Sequence, residues 1–282
     1  VQFAYDWMED PWLMEATATW IEDDVFDGIN DNLQFLPASP LSFGAPWHAI
    51  DHFHPHGSNQ YGAWIFFRFL SEYFGSPTHP SSASDRTVVR DIWAAADGRG
   101  KANGGRYAIR AIEHVLTSRG TNFRDVFADF GAANAIARQW YSEGASYTTP
   151  KAPEVTPSTT GVGGDLPMYH LSNDYVTLLP SSVTGEGATL TITLNLPDRV
   201  RGPEAYAVFF QKDGSIVPLR FALNDAGDGA LTGIPFAASQ VNKAILVLTN
   251  ASTRYRCWQR TTLSCRGTAL DDVDFHFGAQ IG

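Results

Sequence analysis

Cysteine is scarce in this sequence. Its 282 residues hold two, Cys257 and Cys265, too few for a cysteine zinc centre without further ligands close by. With seven residues between them on a loop-like stretch, they fit one small disulfide made in an oxidising compartment, or else two unrelated thiols. Long apolar runs are missing as well. No stretch approaches the roughly 18 apolar residues of a membrane span. Cations are few, 20 lysines and arginines against 30 acids for a net charge of −10, and none cluster along the chain. That argues against nucleic acid as a partner, because phosphate binding needs gathered positive charge. The imbalance is uneven: residues 1–147 carry 18 acids and 10 bases, residues 148–282 carry 12 and 10, so most of the acidic surface belongs to the first part. There is no nucleophile elbow, phosphate loop, dinucleotide fingerprint or internal repeat. The chain opens on Val1 rather than Met, which reads as a start processed or cut away.

What is present divides in two. A hydrophobic fraction of 44% with eight tryptophans predicts a folded protein, and the length suffices for two cores. Residues 1–147 read as successive helices. Asp10-Pro11 is a start signal, a capping residue followed by proline at the first helical position, and Trp12 to Val25 continues without a breaker. Tyr61 to Phe74 is apolar nearly all round, which predicts a central, buried helix. Further helices are expected from Ser84 to Gly98, over residues 106–119 with Gly120 as the stop, from a Thr121 or Asn122 cap through Phe130, and over about Ala133 to Glu143. Residues 148–166, rich in proline, threonine and glycine, read as a linker or extended surface crossing. Beyond them the apolar period falls to two: Thr189 to Leu194 alternates cleanly, parts of Tyr206 to Phe210 and Ile216 to Leu223 follow, and Ala244 to Leu248 looks buried on both faces. With turns at Lys212-Asp213-Gly214 and a hairpin turn at Asn224 to Gly229, this predicts an antiparallel β-sandwich over residues 167–282. The expected fold class is α+β and multidomain.

Glu15 stands out among the chemically able residues. It lies one turn into the first predicted helix among apolar and small neighbours, where a lone carboxylate is costly unless paired or bound to a metal. The same position also suits a carboxylate interacting with the helix dipole. Tyr61 is either a packed tyrosine at a helix start or a donor. His48, His52, His54 and His56 crowd into one segment with Asp51. Two histidines four apart share a face when helical, but Pro46, Pro55 and Gly57 make this a loop, and no glutamate base stands between the rings. Asp23, Asp24, Asp27, Asn30 and Asp31 could hold Ca2+ or simply form a solvated acidic face; their spacing fits no EF-hand. His79, His114, His170 and His276 are isolated in sequence, with ordinary packing or surface roles.

The segment Trp12-Leu13-Met14-Glu15-Ala16-Thr17-Ala18-Thr19-Trp20 resembles the third-ligand helix of gluzincin zinc metallopeptidases, the thermolysin and aminopeptidase N group. Its ATATW form is similar to a group of secreted bacterial metalloproteases whose preceding helix reads HEFxHAxQFAYD, and Val1-Gln2-Phe3-Ala4-Tyr5-Asp6 matches the end of that helix. The likeness continues at Gln60-Tyr61-Gly62-Ala63-Trp64-Ile65-Phe66-Phe67-Arg68-Phe69-Leu70, similar to the YxKGA helix of aminopeptidase N relatives, except that glycine follows the tyrosine directly. It covers residues 1–147 and extends more weakly to Leu248-Thr249-Asn250-Ala251-Ser252. The resemblance implies a mainly helical metallopeptidase-like domain over residues 1–147, with Zn2+ held by Glu15 and by two histidines encoded before Val1. Tyr61 would donate to the developing oxyanion. Thr19 and Glu22 follow the ligand, and neither is assigned a role behind it. The implied protein is a secreted, extracellular hydrolase acting on peptide or protein substrates, and residues 1–282 alone would be inactive. The rival expectation is a non-catalytic extracellular binding or adhesion protein on the same scaffold; a third, for the sandwich alone, is carbohydrate binding or packing against a catalytic domain, with Trp258 as an exposed contact.

Overall fold

A computed structural model of the chain describes residues 2–7, 9–42, 46–97, 106–181, 185–260 and 265–282, excepting the side chains of Phe3, 257–260 and 265–267. Among the described residues it has seven α-helices and eleven strands, so the α+β expectation holds. The helices are α1 (Pro11–Val25), α2 (Asn59–Gly62), α3 (Trp64–Gly75), α4 (Thr87–Ala96), α5 (Ile109–Ser118), α6 (Phe123–Ala135) and α7 (Ala137–Trp140). Short 3-10 turns occupy Gln2–Ala4 and Asp31–Ala38. No helix is long and apolar enough to cross a membrane among the described residues.

α1 starts where expected, with Asp10 before Pro11. α3 is the central helix: Trp64, Ile65, Phe66, Phe67, Phe69 and Leu70 are fully buried. Phe66 meets Phe123, Phe127 and Phe130 of α6 at ring-centroid separations of 6.3, 5.8 and 5.2 Å, a range in which aromatic pairs add to simple burial. α4 and α5 are one-sided, burying Val88, Ile92 and Trp93 and Ile112, Val115 and Leu116. Asn122 caps α6, its side-chain oxygen accepting from Asp125 N at 2.9 Å. The single helix expected from Tyr61 breaks at Ala63 into α2 and α3. The one expected over Ala133 to Glu143 shrinks to α7, because α6 already runs to Ala135.

The strands are β1 (Glu154–Val155), β2 (Val162–Met168), β3 (Ser172–Leu178), β4 (Thr189–Asn195), β5 (Pro203–Gln211), β6 (Ile216–Arg220), β7 (Asp228–Pro235), β8 (Val241–Asn250), β9 (Tyr255–Arg260), β10 (Cys265–Ala269) and β11 (Val273–Ile281). One sheet runs β1-β3-β8-β5-β6, a second β2-β11-β4-β7, and β9-β10 is a separate hairpin. All pairings are antiparallel except β1 with β3. One apolar cluster draws on both larger sheets: Leu190, Ile192, Leu194, Phe275 and Phe277 meet Ala205, Phe209, Leu246 and Leu248. The intervening residues of the first sheet, Tyr175, Val208, Ile245 and Val247, pack on Ala135 of α6. That sheet is therefore covered on both faces, as the run Ala244 to Leu248 foretold.

Residues 148–166, expected as a linker or extended surface crossing, supply β1 and the start of β2. One expectation changes. The turn at Asn224 to Gly229 closes no hairpin. It carries the chain from β6 in the first sheet to β7 in the second, held by Gly227 N to Asn224 O at 3.0 Å and Asp228 N to the Asn224 side chain at 2.9 Å.

Candidate functional site

The ATATW segment folds around one hydroxyl. Thr17 Oγ1 donates to Leu13 O at 2.7 Å and accepts from Gln2 Nε2 at 2.8 Å and from Trp93 Nε1 at 3.1 Å. One proton and two lone pairs make that set complete. Gln2 Nε2 also donates to Met14 O at 2.9 Å, so residues 2–4 are tied to the turn of α1 that carries Glu15. Trp12, Leu13, Ala16 and Trp20 turn into the core. Glu15 is half-buried, and its carboxylate makes no hydrogen bond or ion pair among the described residues. Thr19 Oγ1 donates to the main-chain carbonyl of Glu15 at 3.0 Å, not to its carboxylate, and Glu22 is exposed.

Tyr61 lies on α2, which packs against both α1 and the Asp31–Ala38 turn. Its ring stacks on Phe35 with centroids 5.0 Å apart and planes 22° apart, and its hydroxyl has no hydrogen-bond partner among the described residues. Gly62 explains the departure from YxKGA: a Cβ there would strike the backbone of Ala38. The glycine lets α2 lie flat on the preceding turn and fixes where Tyr61 leaves the backbone. The structure thus brings the two candidates onto touching elements, with no hydrogen bond between them.

The histidine-rich segment is a run of turns. His48 and His52 are 5.7 Å apart by ring centroids, and His54 and His56 are 6.0 Å apart. Burial first, then the neighbouring His52, lowers the His48 pKa below its ordinary value, and its Nδ1 meets Asn59 Nδ2 at 2.8 Å. No group of three or more histidines, cysteines, aspartates or glutamates is arranged to hold a metal among the described residues. The acids considered for calcium go elsewhere: Asp23 pairs with Arg68, and Asp24 with Arg86 at 2.6 Å. The side chains of Cys257, Cys265 and Trp258 lie outside the described residues.

Asp51 and His170 form a constellation that sequence reasoning missed. Both Asp51 oxygens approach His170 Nε2, at 3.0 and 3.1 Å. Tyr255 donates its hydroxyl to Asp51 and lies 2.6 Å from the same ring nitrogen. Across the ring, His170 Nδ1 meets Asp272 Oδ1 at 3.1 Å, and the same oxygen accepts from His170 N at 2.9 Å. Burial works against a charged ring here, but hydrogen bonds to Asp51 and Asp272 and their negative charge outweigh it, and the His170 pKa rises. Asp10 belongs to the same surroundings: burial, then the charge of Asp51, pushes it up to about 7. Beside it Glu9 rises to about 8 through burial, with one oxygen accepting from Asp10 N at 2.7 Å and Ala108 N at 3.0 Å and the other buried without a partner among the described residues. The arrangement can hold a proton on an imidazole bracketed by two carboxylates. Because 119 residues separate Asp51 from His170, no local spacing could have signalled it.

No family model and no curated protein matches this chain.

Proposed function

We propose that the chain is the ligand-glutamate part of a secreted zinc-dependent peptidase that cleaves peptide or protein substrates outside the cell. Residues 1–147 contribute to the catalytic unit, and the strands of residues 167–282 form a β-sandwich beside it. The observation that carries this reading is the state of Glu15: a half-buried carboxylate without a partner among the described residues, on a helix turn that also anchors residues 2–4. Carboxylates in such surroundings are normally paired or bound to a cation. The donor set fits zinc in part. Glu15 can supply one oxygen, and the resemblance assigns two imidazoles to sequence preceding Val1; Ca2+ gains no support from aspartates that already pair with arginines.

Zinc in such a site supplies acidified water and a polarised carbonyl. The chain's own part is orientation. Thr19 ties its hydroxyl to the Glu15 carbonyl, and the Phe35 stack limits the swing of the Tyr61 ring. The free Tyr61 hydroxyl can donate to the oxyanion as charge develops on it.

The test uses the complete protein. Wild type should contain about one equivalent of zinc and cleave an unstructured protein such as casein, and Glu15→Ala should lose both. Cleavage unchanged in that variant removes Glu15 from the site. A complete protein that binds no zinc and cleaves nothing leaves the non-catalytic binding protein as the reading.

A further inference from the structure

Arginines far apart in sequence converge on a cleft of about 470 Å³. Its walls come from α5 (Glu113, Thr117), the first turn of α6 (Asn122 to Arg124), the bend before β5 (Arg199, Val200 and Gly202) and the segment after β8 (Ala251 to Arg254). Gly202 permits the close approach of two of these walls. Its φ is +79°, and a Cβ there would sit 2.8 Å from the carbonyl carbon of Ala251. Ala251 N donates to Gly202 O at 3.0 Å and joins the two segments.

Charge is unusual here for a chain of net −10. Arg124, Arg199 and Arg220 surround Glu204 at 3.1, 2.5 and 3.0 Å, and Glu204 is 1% exposed. Arg254 and Arg201 approach Asp271 at 3.3 and 3.7 Å, and Asp271 is 2% exposed. Arg220 also pairs with Asp125. Glu113 is balanced by Arg110 at 2.6 Å. Three guanidiniums, those of Arg124, Arg199 and Arg254, thus line the cleft with the one carboxylate of Glu113, while Arg201 and Arg220 are not among its lining residues and pair with the two buried acids.

Donors remain unused. Among the described residues Arg124 donates a hydrogen bond only through Nη1, to Arg199 O at 3.2 Å, with its Nε turned to Glu204, and the Arg254 guanidinium donates only through Nη1, to Asp271. The amides of Phe123 and Arg124, at the positive end of the 13-residue α6, have no hydrogen-bond partner among the described residues. Guanidinium forks and helix-start amides are both matched to planar or tetrahedral oxyanions. A volume of this size is that of a small-molecule site rather than a macromolecular groove.

We infer that this cleft binds a small oxyanion, a carboxylate or a phosphate, between Arg124, Arg254 and the first amides of α6. The inference stands independently of the peptidase reading. Arg124→Gln and Arg254→Gln test it without uncovering a buried acid, since Glu204 keeps Arg199 and Arg220 while Asp271 keeps Arg201 and the hydroxyl of Ser252. Arg90→Gln on the exposed face of α4, where among the described residues Arg90 pairs only with its neighbour Asp91, makes the same charge change elsewhere.

Calorimetric titrations with inorganic phosphate and with succinate, at fixed ionic strength, read the outcome. Saturable binding of either probe is expected in wild type and in Arg90→Gln, weakened roughly tenfold to a hundredfold in each cleft variant, as expected on losing a charge-assisted hydrogen bond. Saturation by phosphate alone identifies a phosphoryl ligand, and saturation by succinate alone a carboxylate one. The idea fails if neither probe saturates, if the cleft variants bind as wild type does, or if Arg90→Gln loses as much as they do.

Discussion

At the scale of single residues, the strongest constraint is one buried cation. Arg68 is 5% exposed and pairs with Asp23, with Glu143 at 3.0 Å, and with Glu72 at 3.9 Å. Glu72 also accepts from Ser142 N and Oγ at 3.1 and 2.7 Å. Burial still pushes Asp23 up to about 6 and Glu72 up to about 7, and the guanidinium beside them pulls both back toward the ionised form. Arg68→Met should therefore destabilise the chain by about 3–5 kcal/mol, the usual cost of stranding a buried charge. A lowered urea midpoint with unchanged slope would register it, and a midpoint equal to wild type would show the network to be dispensable. Tyr61 makes the opposite case, a group with little structural work. Tyr61→Phe in the complete protein should keep its zinc and melting temperature while kcat falls by roughly a hundredfold, the scale for one lost oxyanion donor; an unchanged kcat would return Tyr61 to a packing role.

At the scale of elements, local chemistry was legible where it acts alone. Asp10-Pro11 opens α1, Asn122 caps α6, Gly120 follows α5, and Leu190, Ile192 and Leu194 alternate inward. It was illegible where a distant partner decides. The break at Ala63 depends on Gly62 meeting the backbone of Ala38, and β1 exists only because Glu154 and Val155 pair with Thr177 and Leu178. The same limit hid the Asp51–His170–Tyr255 constellation and the arginine cleft. Their members sit far apart in the chain, so the sequence showed isolated histidines and scattered cations. Gly62→Ala follows from this contact. A methyl group there must push α2 off the Asp31–Ala38 turn, since backbone cannot yield as a flexible side chain does. The variant should lose about 1–3 kcal/mol, the range for overpacking. Activity of the complete protein should fall with it as Tyr61 is re-aimed, whereas full stability in thermal melts would mean that the turn adapts.

At the scale of the whole molecule, proton binding should couple stability to pH. His170 links Asp51, in the turns before α2, to Asp272 before β11, and its pKa is raised in the folded chain. A raised histidine stabilises the fold fully below its unfolded value near 6.5, and this contribution disappears as pH climbs through the folded value. Glu9 and Asp10 act in the same sense for a different reason. Held up to about 8 and about 7, they stay protonated in the fold while the unfolded chain ionises near pH 4 to 4.5, so each rise in pH above that favours unfolding until the folded groups ionise too. Asp85 and Asp125 work oppositely. Burial opposes ionisation, but hydrogen bonds, to Thr87 and Arg119 for the first and to Arg220 and Asn122 for the second, lower their pKa. They therefore protect the fold above about pH 4 and lose that effect only in stronger acid. Burial lowers the pKa of His48 and His79, which adds stability as pH rises through about 6.5, while Glu9, Asp10 and His170 favour a decline toward pH 8. Glu9→Gln should flatten its share of that decline, because an amide keeps the volume and cannot ionise. Melting temperatures of wild type and variant across pH 5 to 9 decide the matter: parallel curves for the two proteins would show that Glu9 ionises freely in the fold.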